Sequence, residues 1–480
     1  MKKYLNYLVG VFCFCGCGDF LDQEPGAQVS IDEQLSTRIG VEQSIAGVYR
    51  DVEELLSERY CLYADLQGGN LTFTPRTREE VTVPLLIAKS YDFADTEQNS
   101  DYAGLYEGLY TIIAQVNIML ERIDLFTFFE DAELRQMQSE LLAIRAFSHY
   151  LAAIHYAQHY SYTADASHPG IVYNTQTLQL GVDFPARLTL FETYQYLKAD
   201  LKAALSLQTD ASFLSGGSSY AYFNRITIQG LYARMALQMN DWEQALFYAN
   251  EVISTSGISL TTNENYITEW KWDERAVSEV ILEFAAPRNS DGEVSSSKST
   301  HFIYNSLSSY SHYATSGDLL DLYEETDIRS GIFLEVDLPT AAGQEKVELP
   351  YFFTWKFQGN TGTINMRLSE MYLIRSEANA RLNNISEALA DLNIIRERAG
   401  LAALVDTSEL LEEIFLERRR ELAFEGHLLF DIVRFAKDVS RNQGCLSRQC
   451  NLNYPSPYFI LPIPFSSTGL NDNIIQNKGY

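Results

Sequence analysis

Two histidines one helical turn apart are the first residues whose type and spacing could support a chemical function, namely metal binding. His155 and His159 lie four residues apart in HYAQH, a spacing that can hold a metal ion on one face of a helix. The glutamate that acts as general base in zinc peptidase motifs does not lie between them, and the sequence offers no third ligand. The pattern therefore favours ordinary packed histidines over a metal site.

Carboxylates recur every four residues near the C-terminus. In ERRRELAFEG, Glu417, Glu421 and Glu425 are interleaved with arginines that include Arg418 and Arg420. Residues three and four apart share a helix face, where guanidinium and carboxylate groups form ion pairs. A glycosidase needs two carboxylates at a defined separation, and no local pattern selects such a pair. With no phosphate-binding glycine loop, nucleophile elbow or dinucleotide fingerprint in the sequence, we predict a structural ion-pair network, no enzyme activity and no cofactor.

A targeting pattern accounts for three of the six cysteines. Two lysines precede a mostly apolar run too short to span a bilayer as a mature helix, which is the layout of a secretory signal. Signal peptidases need small residues before the cut, and of the three cysteines only Cys17 directly follows one. We predict a signal peptide over 1–16 and a lipidated tether over 17–30 that begins at Cys17. A plain secretory cut or a zinc cluster is the alternative, although CxCxC without a second ligand pair is a poor tetrahedral site.

Composition limits the partners of the remaining chain. A formal charge of −28 argues against nucleic acid, which needs a cationic face, and against electrostatic adhesion to anionic lipid. A membrane anchor must therefore be covalent. The chain has 46% hydrophobic residues and no apolar run of transmembrane length after Cys17, so it can build a large core. Cys445 and Cys450 could form a disulfide in an exported protein, and the sequence leaves this open.

Helical periodicity dominates the sequence. In LYEGLYTIIAQVNIMLERID, apolar residues recur at spacings of three and four, which predicts an amphipathic helix of about five turns. Four further segments have the same pattern. The register of these helices predicts that several aromatic residues lie in the core, namely Tyr110, Tyr232, Trp242 and Tyr372.

Two helical segments align with each other at an offset of 143 residues. Asn240-Asp241-Trp242 lies over Asn383-Asn384-Ile385, and each segment reads as helix, tight polar turn, helix. Small alanines at 233, 236, 245 and 249 would let the helix backbones approach closely. This is the pattern of tetratricopeptide hairpins, which bury their apolar faces by stacking. A plain helical bundle is the alternative.

Between the hairpins, from 255 to 365, the chain is rich in Ser, Thr, Gly and aromatic residues. One convincing strand lies in SEVILEFA, and polar loops are predicted around PRNSDGEVSSSKST and PTAAGQEK. We therefore predict a mostly α fold, with tetratricopeptide-like hairpins as scaffold and irregular loops and a few short strands in the middle. Helical regions over 31–254 and 366–480 would flank this middle region, and 31–480 would form one compact unit.

A series of short motifs extends along nearly the whole chain. It runs from CGDFLD at Cys17 through LYEGLYTIIAQVN, RAFSHYLAAIHY, SEVILEF and LLDLYEETDIR to RLSEMYLIRSEA, NIIRERAGL, ERRRELAFEG and the tail LPIPFSSTGLNDNIIQNKGY. In these motifs the chain resembles the SusD-like (RagB/SusD) family of outer-membrane lipoproteins from Bacteroidetes. Each motif is weak alone, but their order is specific. One departure is Leu428, which stands where the family pattern usually has a second arginine after the glycine, so Asp431 is expected to find another partner.

The resemblance implies a protein that captures a nutrient for a SusC-like TonB-dependent transporter. In structures of the family, ligand residues come mainly from the loop before the LY…N helix and from the irregular middle region. An oligosaccharide site needs flat aromatic faces and polar side chains, which these stretches offer. The candidate ligand-binding residues are Arg76, Tyr91, Tyr102, Tyr266, Trp270, Trp272, Tyr304, Tyr310 and Tyr313.

The expected function is therefore a glycan-binding lipoprotein of the outer membrane that faces the cell exterior. Its partners would be the transporter, an oligosaccharide and, through the lipid on Cys17, the membrane, with no nucleic acid. A non-catalytic scaffold, or a subunit that captures a peptide or another nutrient for the same kind of transporter, is the alternative. Aromatic-to-alanine changes in the middle loops would separate the two.

Overall fold

The fold is mostly helical, as the periodicity predicts. The computed structural model describes residues 29–209, 211–214, 218–272, 276–286, 297–343, 345–357 and 362–480. In these ranges the α-helices are α1 (Ile31–Gln34), α2 (Arg38–Ser57), α3 (Tyr63–Gly68), α4 (Ala88–Tyr91), α5 (Ala103–Leu120), α6 (Asp131–Tyr156), α7 (Leu190–Leu207), α8 (Arg225–Gln238), α9 (Trp242–Thr255), α10 (Tyr266–Trp270), α11 (Gly317–Leu320), α12 (Leu368–Arg381), α13 (Ile385–Arg398), α14 (Leu410–Glu421), α15 (Leu428–Arg434) and α16 (Phe465–Thr468). The strands are β1 (Leu71–Phe73), β2 (Val280–Phe284), β3 (Tyr304–Ser306), β4 (Ser309–Tyr310), β5 (Tyr313–Thr315), β6 (Phe333–Ala342), β7 (Glu345–Thr354), β8 (Thr363–Arg367), β9 (Val439–Ser440) and β10 (Asn451–Leu452).

The two aligned segments fold as equivalent helical hairpins, α8 with α9 and α12 with α13. Asn240 (φ 58°) and Asn383 (φ 64°) both adopt the left-handed conformation that the tight turn requires and that asparagine tolerates. The residue that follows each asparagine donates its N–H to a helix carbonyl five residues back. α9 packs on α12, so the two hairpins stack side by side as in tetratricopeptide arrays.

The predicted core aromatics lie where the helical register puts them. Tyr232 is fully buried and stacks on Tyr248 with ring centroids 4.0 Å apart. Tyr110, Trp242 and Tyr372 are partly buried and pack against the main apolar core. The alanines at 233, 236, 245 and 249 are buried, as close helix packing requires.

The middle region contains more regular structure than the sequence predicts. The strand expected in SEVILEFA is β2, which pairs antiparallel with β8. PTAAGQEK is not a polar loop, because most of it belongs to the β6–β7 hairpin, in which Phe333 pairs with Thr354 and Ala342 with Glu345. The prediction failed because this hairpin is largely exposed and lacks a continuous apolar face. Much of the other predicted loop, 287–296, lies outside the described residues.

A buried network of charges joins the middle and C-terminal regions. Its central members are Arg329 and Arg367, both fully buried, which bind carboxylates that include Glu417, Glu421 and Glu425. The ion-pair network predicted from ERRRELAFEG is therefore confirmed. Asp431 pairs with Arg418 at 2.9 Å and with Arg434 at 2.7 Å. These arginines are the other partners expected for Asp431, because position 428 is a leucine in this chain.

Cys445 and Cys450 form a disulfide bond, which settles the alternative that the sequence left open. The signal peptide, Cys17 and the tether up to residue 28 lie outside the described residues and stay predictions. Within the described ranges, no helix has the length and apolar character needed to cross a bilayer.

Candidate functional site

The candidate site forms where distant parts of the chain are joined by a short strand pair. β1 pairs antiparallel with β5, with Leu71 opposite Thr315 and Phe73 opposite Tyr313. The side chain of Thr74 extends this contact by donating to the carbonyl oxygen of Ser311 at 2.7 Å. The turn that contains Arg76 is thereby held against the β3–β4 hairpin.

Two tyrosines lie side by side on the β3–β4 hairpin. Tyr304 and Tyr310 are cross-strand partners, so their side chains share one face of the hairpin. Their rings lie 6.3 Å apart with an angle of 21° between the planes, and both are half-buried. The Tyr310 hydroxyl donates to the carbonyl oxygen of Pro75 at 2.7 Å, which fixes the ring on the neighbouring turn.

A third ring extends this surface. Trp355 follows β7, is half-buried and lines the same narrow cleft as Tyr304. Phe353 is buried below, with its ring centroid 5.1 Å from that of Tyr304 and 6.0 Å from that of Tyr310. We call Tyr304, Tyr310 and Trp355, together with Arg76 at their edge, the aromatic platform.

Arg76 gives the platform a cationic edge. Its guanidinium lies 5.2 Å from the Tyr310 ring centroid and donates to the Tyr310 carbonyl oxygen at 2.8 Å. These contacts orient the side chain and leave further N–H donors, because guanidinium has five. The neighbouring His312 is exposed, and partial burial, with the nearby Arg76 charge, lowers its pKa. The imidazole is thus neutral near pH 7 and can both donate and accept hydrogen bonds.

The turn beside Arg76 is tied to the tip of the β6–β7 hairpin. Arg78 and Glu79 both have positive φ values, 62° and 59°, which residues other than glycine rarely adopt. Lys346 of β7 forms an ion pair with Glu79. The hairpin therefore forms one wall of the site and holds the strained turn in place.

The buried network supports the platform from below. Lys356, next to Trp355, donates from Nζ to the carbonyl oxygens of Glu421 and Ala423 and to Glu425 at 2.8 Å. Burial lowers the pKa of this lysine, and the Glu425 carboxylate counters that effect by stabilising its charge. The end of β7 is thus fastened to the α14 region, which fixes the direction of Trp355.

Five of the predicted ligand residues are buried and present no ring face to solvent. The reason is tertiary packing by residues far away in sequence, and the five act as support rather than as ligand contacts. Tyr91 lies beneath Arg441, whose guanidinium is 4.2 Å from its ring centroid, and Tyr266 lies 4.7 Å beneath Arg398. The five are Tyr91, Tyr102, Tyr266, Trp270 and Tyr313, with exposed fractions of 1%, 0%, 1%, 3% and 8%.

The other four predicted residues are at least partly exposed. Arg76, Tyr304 and Tyr310 come together in the platform, whereas Trp272 lines a separate cavity. Trp355 was not among the residues predicted from the sequence; it directly follows strand β7 and does not lie in one of the predicted loops. The signal was present in the dense aromatic run YFFTW that ends at this residue.

The two histidines that suggested a metal site are held by protein partners. His155 Nδ1 lies 2.8 Å from the carbonyl oxygen of Leu151, and His159 Nε2 lies 2.7 Å from the Tyr454 hydroxyl. Burial lowers the pKa of each imidazole to about 4. Both are packed side chains, as the sequence favoured.

The platform suits a ligand that has both apolar faces and hydroxyl edges. Flat rings cover C–H faces, while guanidinium, imidazole and hydroxyl groups bond to polar edges. A pyranose ring has this combination of surfaces. Within the described residues, no group of three or more His, Cys, Asp or Glu side chains could hold a metal ion.

Two family models match the chain on either side of the middle region. A model described as "Starch-binding associating with outer membrane" matches residues 19–237, and a model described as "SusD family" matches residues 344–480. Arg76 falls within the first match and Trp355 within the second. Tyr304 and Tyr310 fall between the two.

Individual relatives agree with these matches. The chain is 22% identical to SusD-like protein P25 of Formosa agariphila, with all of both chains aligned. It is 33% identical over 120 residues to the starch-binding protein SusD of Bacteroides thetaiotaomicron, which covers 24% of this chain and 21% of that protein.

Solved structures share the fold. A SusD superfamily protein from Bacteroides thetaiotaomicron superposes with a TM-score of 0.79 at 23% identity, covering 92% of this chain and 99% of that one. A SusD-like carbohydrate binding protein from Bacteroides vulgatus gives a TM-score of 0.75 at 20% identity, with coverage of 92% and 97%. At these identities the structural matches establish the fold alone.

Proposed function

This chain belongs to the SusD-like family, and we propose that it is a cell-surface lipoprotein that binds an oligosaccharide and delivers it to a TonB-dependent outer-membrane transporter. One of the matching family models and one of the relatives are described as starch-binding, which names a binding role rather than a reaction. The observation that carries the proposal is the aromatic platform with its cationic edge. Two nearly parallel tyrosines, a tryptophan and an oriented arginine are what stacking on sugar rings and bonding to their hydroxyls require.

Removing the two tyrosine rings is the direct test of glycan binding. We expect Tyr304→Ala/Tyr310→Ala to weaken binding of the recognised oligosaccharide at least about tenfold, because about 1.4 kcal/mol of stacking and burial is lost. The measurement is isothermal titration of the mature protein, in a detergent without a sugar headgroup, against plant, mucin and microbial oligosaccharides.

An exposed tyrosine elsewhere provides the matched control. Tyr196 on α7 stacks on Tyr173 with centroids 5.3 Å apart and lies outside the platform. Tyr196→Ala should leave the affinity unchanged. Unchanged affinity in the platform variant as well would contradict the proposed site, and silence across the whole panel would favour capture of a peptide or another nutrient.

The proposed location rests on several independent features. One family model is described as associating with the outer membrane, and the sequence pattern predicts lipidation at Cys17. The stretch from Cys17 to Val29, where the described chain begins, can span at most about 40 Å. An anchor of this length would keep the protein next to the outer leaflet and next to the mouth of a transporter barrel.

An exposed apolar patch supports docking to such a barrel. We define the apolar patch as Leu178, Leu180, Val182, Phe184, Leu470 and Ile475, all exposed, with Leu180 98% and Leu470 74% accessible. Two hydrogen bonds hold its two segments together, from the Asn473 side chain to the Phe184 carbonyl at 2.7 Å and from Asn471 to Pro185 at 2.8 Å. Exposed apolar clusters of this kind are typical of interaction surfaces.

The position of the apolar patch relative to the tether favours the transporter as its partner. Residues of the patch line a groove of about 690 Å³ along α5. Gln115 and Ile118 line both this groove and a neighbouring one that reaches Val29. The side of the protein from which the tether leaves is therefore also its apolar side.

Charges placed in the apolar patch should separate docking from glycan binding. We expect Leu180→Glu/Phe184→Glu to reduce capture of a SusC-like transporter at least about tenfold, because two carboxylates would have to be desolvated at the interface. Glycan affinity should stay unchanged. The measurement is quantitative co-purification from outer membranes of the native host.

Val405 offers the control for this experiment, since it is exposed and lies outside the patch. Val405→Glu should keep full capture. If the patch variant captured the transporter as well as the Val405 variant does, the partner would have to dock elsewhere. The proposed mechanism, in which the protein captures the glycan and releases it by hinging as a lid, would then still apply. The transporter would contact a different face of the protein.

A further inference from the structure

A large cavity is lined by residues other than those of the aromatic platform. It is bounded by the end of α7, the segment before α8, the end of α9 and the start of β2, and its volume is about 1060 Å³. Pockets that take small ligands have volumes of about 300 to 1,000 Å³, so this one can hold several sugar rings. None of the described residues that line it belongs to the platform.

Aromatic rings form part of the wall of this cavity. Tyr220, Tyr222 and Trp272 all line it and are partly exposed. The Tyr222 ring packs edge-on against Tyr49, with centroids 5.3 Å apart and planes at 90°. This contact holds the ring in place, as a stacking surface requires.

The floor is a buried chain of hydrogen bonds. Glu140 accepts from the Tyr49 hydroxyl at 2.6 Å and from the Gln136 amide at 2.9 Å, and the Phe223 N–H donates to the Tyr49 oxygen at 3.0 Å. Gln136 and Glu140 are each 5% exposed and line the cavity. The floor is thus polar, rigid and built from three segments of the chain: α2, α6 and the residues before α8.

The rim supplies further polar groups. Asn224 caps α8 by accepting from the Thr227 N–H at 3.0 Å and donates to the Ser219 carbonyl at 3.1 Å. Arg225 is exposed beside it, and its side chain makes no hydrogen bond or ion pair with any described residue. An unpaired guanidinium at the mouth of a cavity, in a chain of net charge −28, is available to a ligand.

We propose that this cavity is a second saccharide-binding site, which takes a short segment of the same class of glycan that the platform binds. The inference rests on the proposed function for its ligand class. Aromatic walls match the C–H faces of pyranose rings, and the amide, carboxyl and guanidinium groups of floor and rim match their hydroxyls. A purely apolar ligand would leave the Arg225 guanidinium without a partner on desolvation.

Two sites on one chain change how a long glycan binds. Once the platform holds one part of a polysaccharide, the second contact forms at a high effective concentration. Affinity for a long chain would then exceed affinity for a fragment that fills only one site.

The test compares the mature protein with variants of each site. The probes are maltoheptaose, xylohexaose, laminarihexaose and hexagalacturonate, with the parent polysaccharides, and binding is measured by isothermal titration. We expect Tyr304→Ala/Tyr310→Ala to keep a weaker binding event, and Tyr222→Ala/Trp272→Ala in that background to remove it. In the otherwise unchanged protein, the cavity variant should lower polysaccharide affinity at least about fivefold and fragment affinity less.

Surface variants keep the test decisive if ring removal impairs folding. Arg225→Gln in the platform variant should weaken the remaining binding several-fold, whereas Arg135→Gln, an exposed change on α6 outside the cavity lining, should not. Loss of all binding in the platform variant alone, or no effect of Arg225→Gln, would overturn the second site and leave the proposed function standing. No binding of any probe by the unchanged protein would reject both.

Discussion

Replacing Arg329 with methionine is expected to lower the free energy of unfolding by about 3 to 5 kcal/mol. Arg329 is fully buried and contacts three carboxylates. It donates to Asp327 at 2.8 and 2.9 Å, to Glu417 at 2.6 Å and to Glu421 at 3.1 Å. Methionine fills a similar volume but leaves these carboxylates, which are fully buried, with too few positive partners.

The size of the effect follows from asymmetry between forming and breaking a buried ion pair. Two buried charges that pair well roughly repay their desolvation, so the intact network adds little net stability. One partner left alone retains the whole desolvation cost. Glu421 keeps Arg367 and Arg398 as partners, whereas Asp327 loses the guanidinium that binds both of its oxygens, so Asp327 bears most of this cost.

Arg50 is the matched control for Arg329. It is an arginine that pairs with Asp51 at 2.8 Å, but its side chain is 57% exposed. Arg50→Met should cost at most about 1 kcal/mol, because water solvates both charges when the pair is absent. Urea unfolding of both variants is the measurement, and equal midpoints would mean that carboxylates left unpaired in the buried network cost no more than one left unpaired at the surface.

Buried carboxyl groups are expected to make stability depend on pH in two opposite directions, for two different physical reasons. On the acid side, the neighbouring arginines hold the pKa of Glu425 and of Asp431 at about 2, even though burial opposes this. Both values are below those of unfolded carboxyl groups. Their contribution, about 2 to 3 kcal/mol each, is therefore complete above the unfolded values and is lost as pH falls towards 2.

Between pH 5 and pH 8, two other buried carboxyl groups make stability change with pH in the opposite direction. Burial raises the pKa of Glu140 and of Glu283 from 4.5 to about 7. Between these values the unfolded chain has released the proton and the folded chain still holds it, so stability falls as pH rises. From pH 5 to pH 8 each group should cost about 2 kcal/mol.

Glu140→Gln isolates one of these groups. The variant cannot ionise at this position, so from pH 5 to pH 8 its stability should change more favourably than that of the unchanged protein, by about 2 kcal/mol. Urea unfolding at several pH values measures this, and the difference between the slopes is independent of any fixed cost of the substitution. Identical slopes would mean that Glu140 is ionised in the folded protein at pH 5.

Local sequence patterns do not predict which residues come together in the aromatic platform. Arg76 and Tyr310 are 234 residues apart and meet through the pairing of β1 with β5. Both strands are three residues long, too short for a periodic signal. Both tyrosines also lie in the stretch that neither family model matches.

Burial of aromatic residues was the feature that sequence predicted least well. Tyr266 and Trp270 were expected in an exposed loop, but they form α10 and lie beneath Arg398 and Arg367. The residue type of a tyrosine or tryptophan does not indicate whether its ring faces solvent or a buried guanidinium. Only the residues packed over it decide which, and these lie about 100 or more positions away.

The sequence by itself determined the helices, the two stacked hairpins, the charged network and the family. These features depend on spacings of three and four residues, on a repeated turn and on motifs in a fixed order, all of which are local. The tertiary structure alone decided which aromatic rings remain exposed, that the β6–β7 hairpin forms one wall of the site, and that Trp272 faces a different cavity. Those outcomes depend on contacts between distant segments, and the free energy of such contacts is not encoded in any single stretch of the chain.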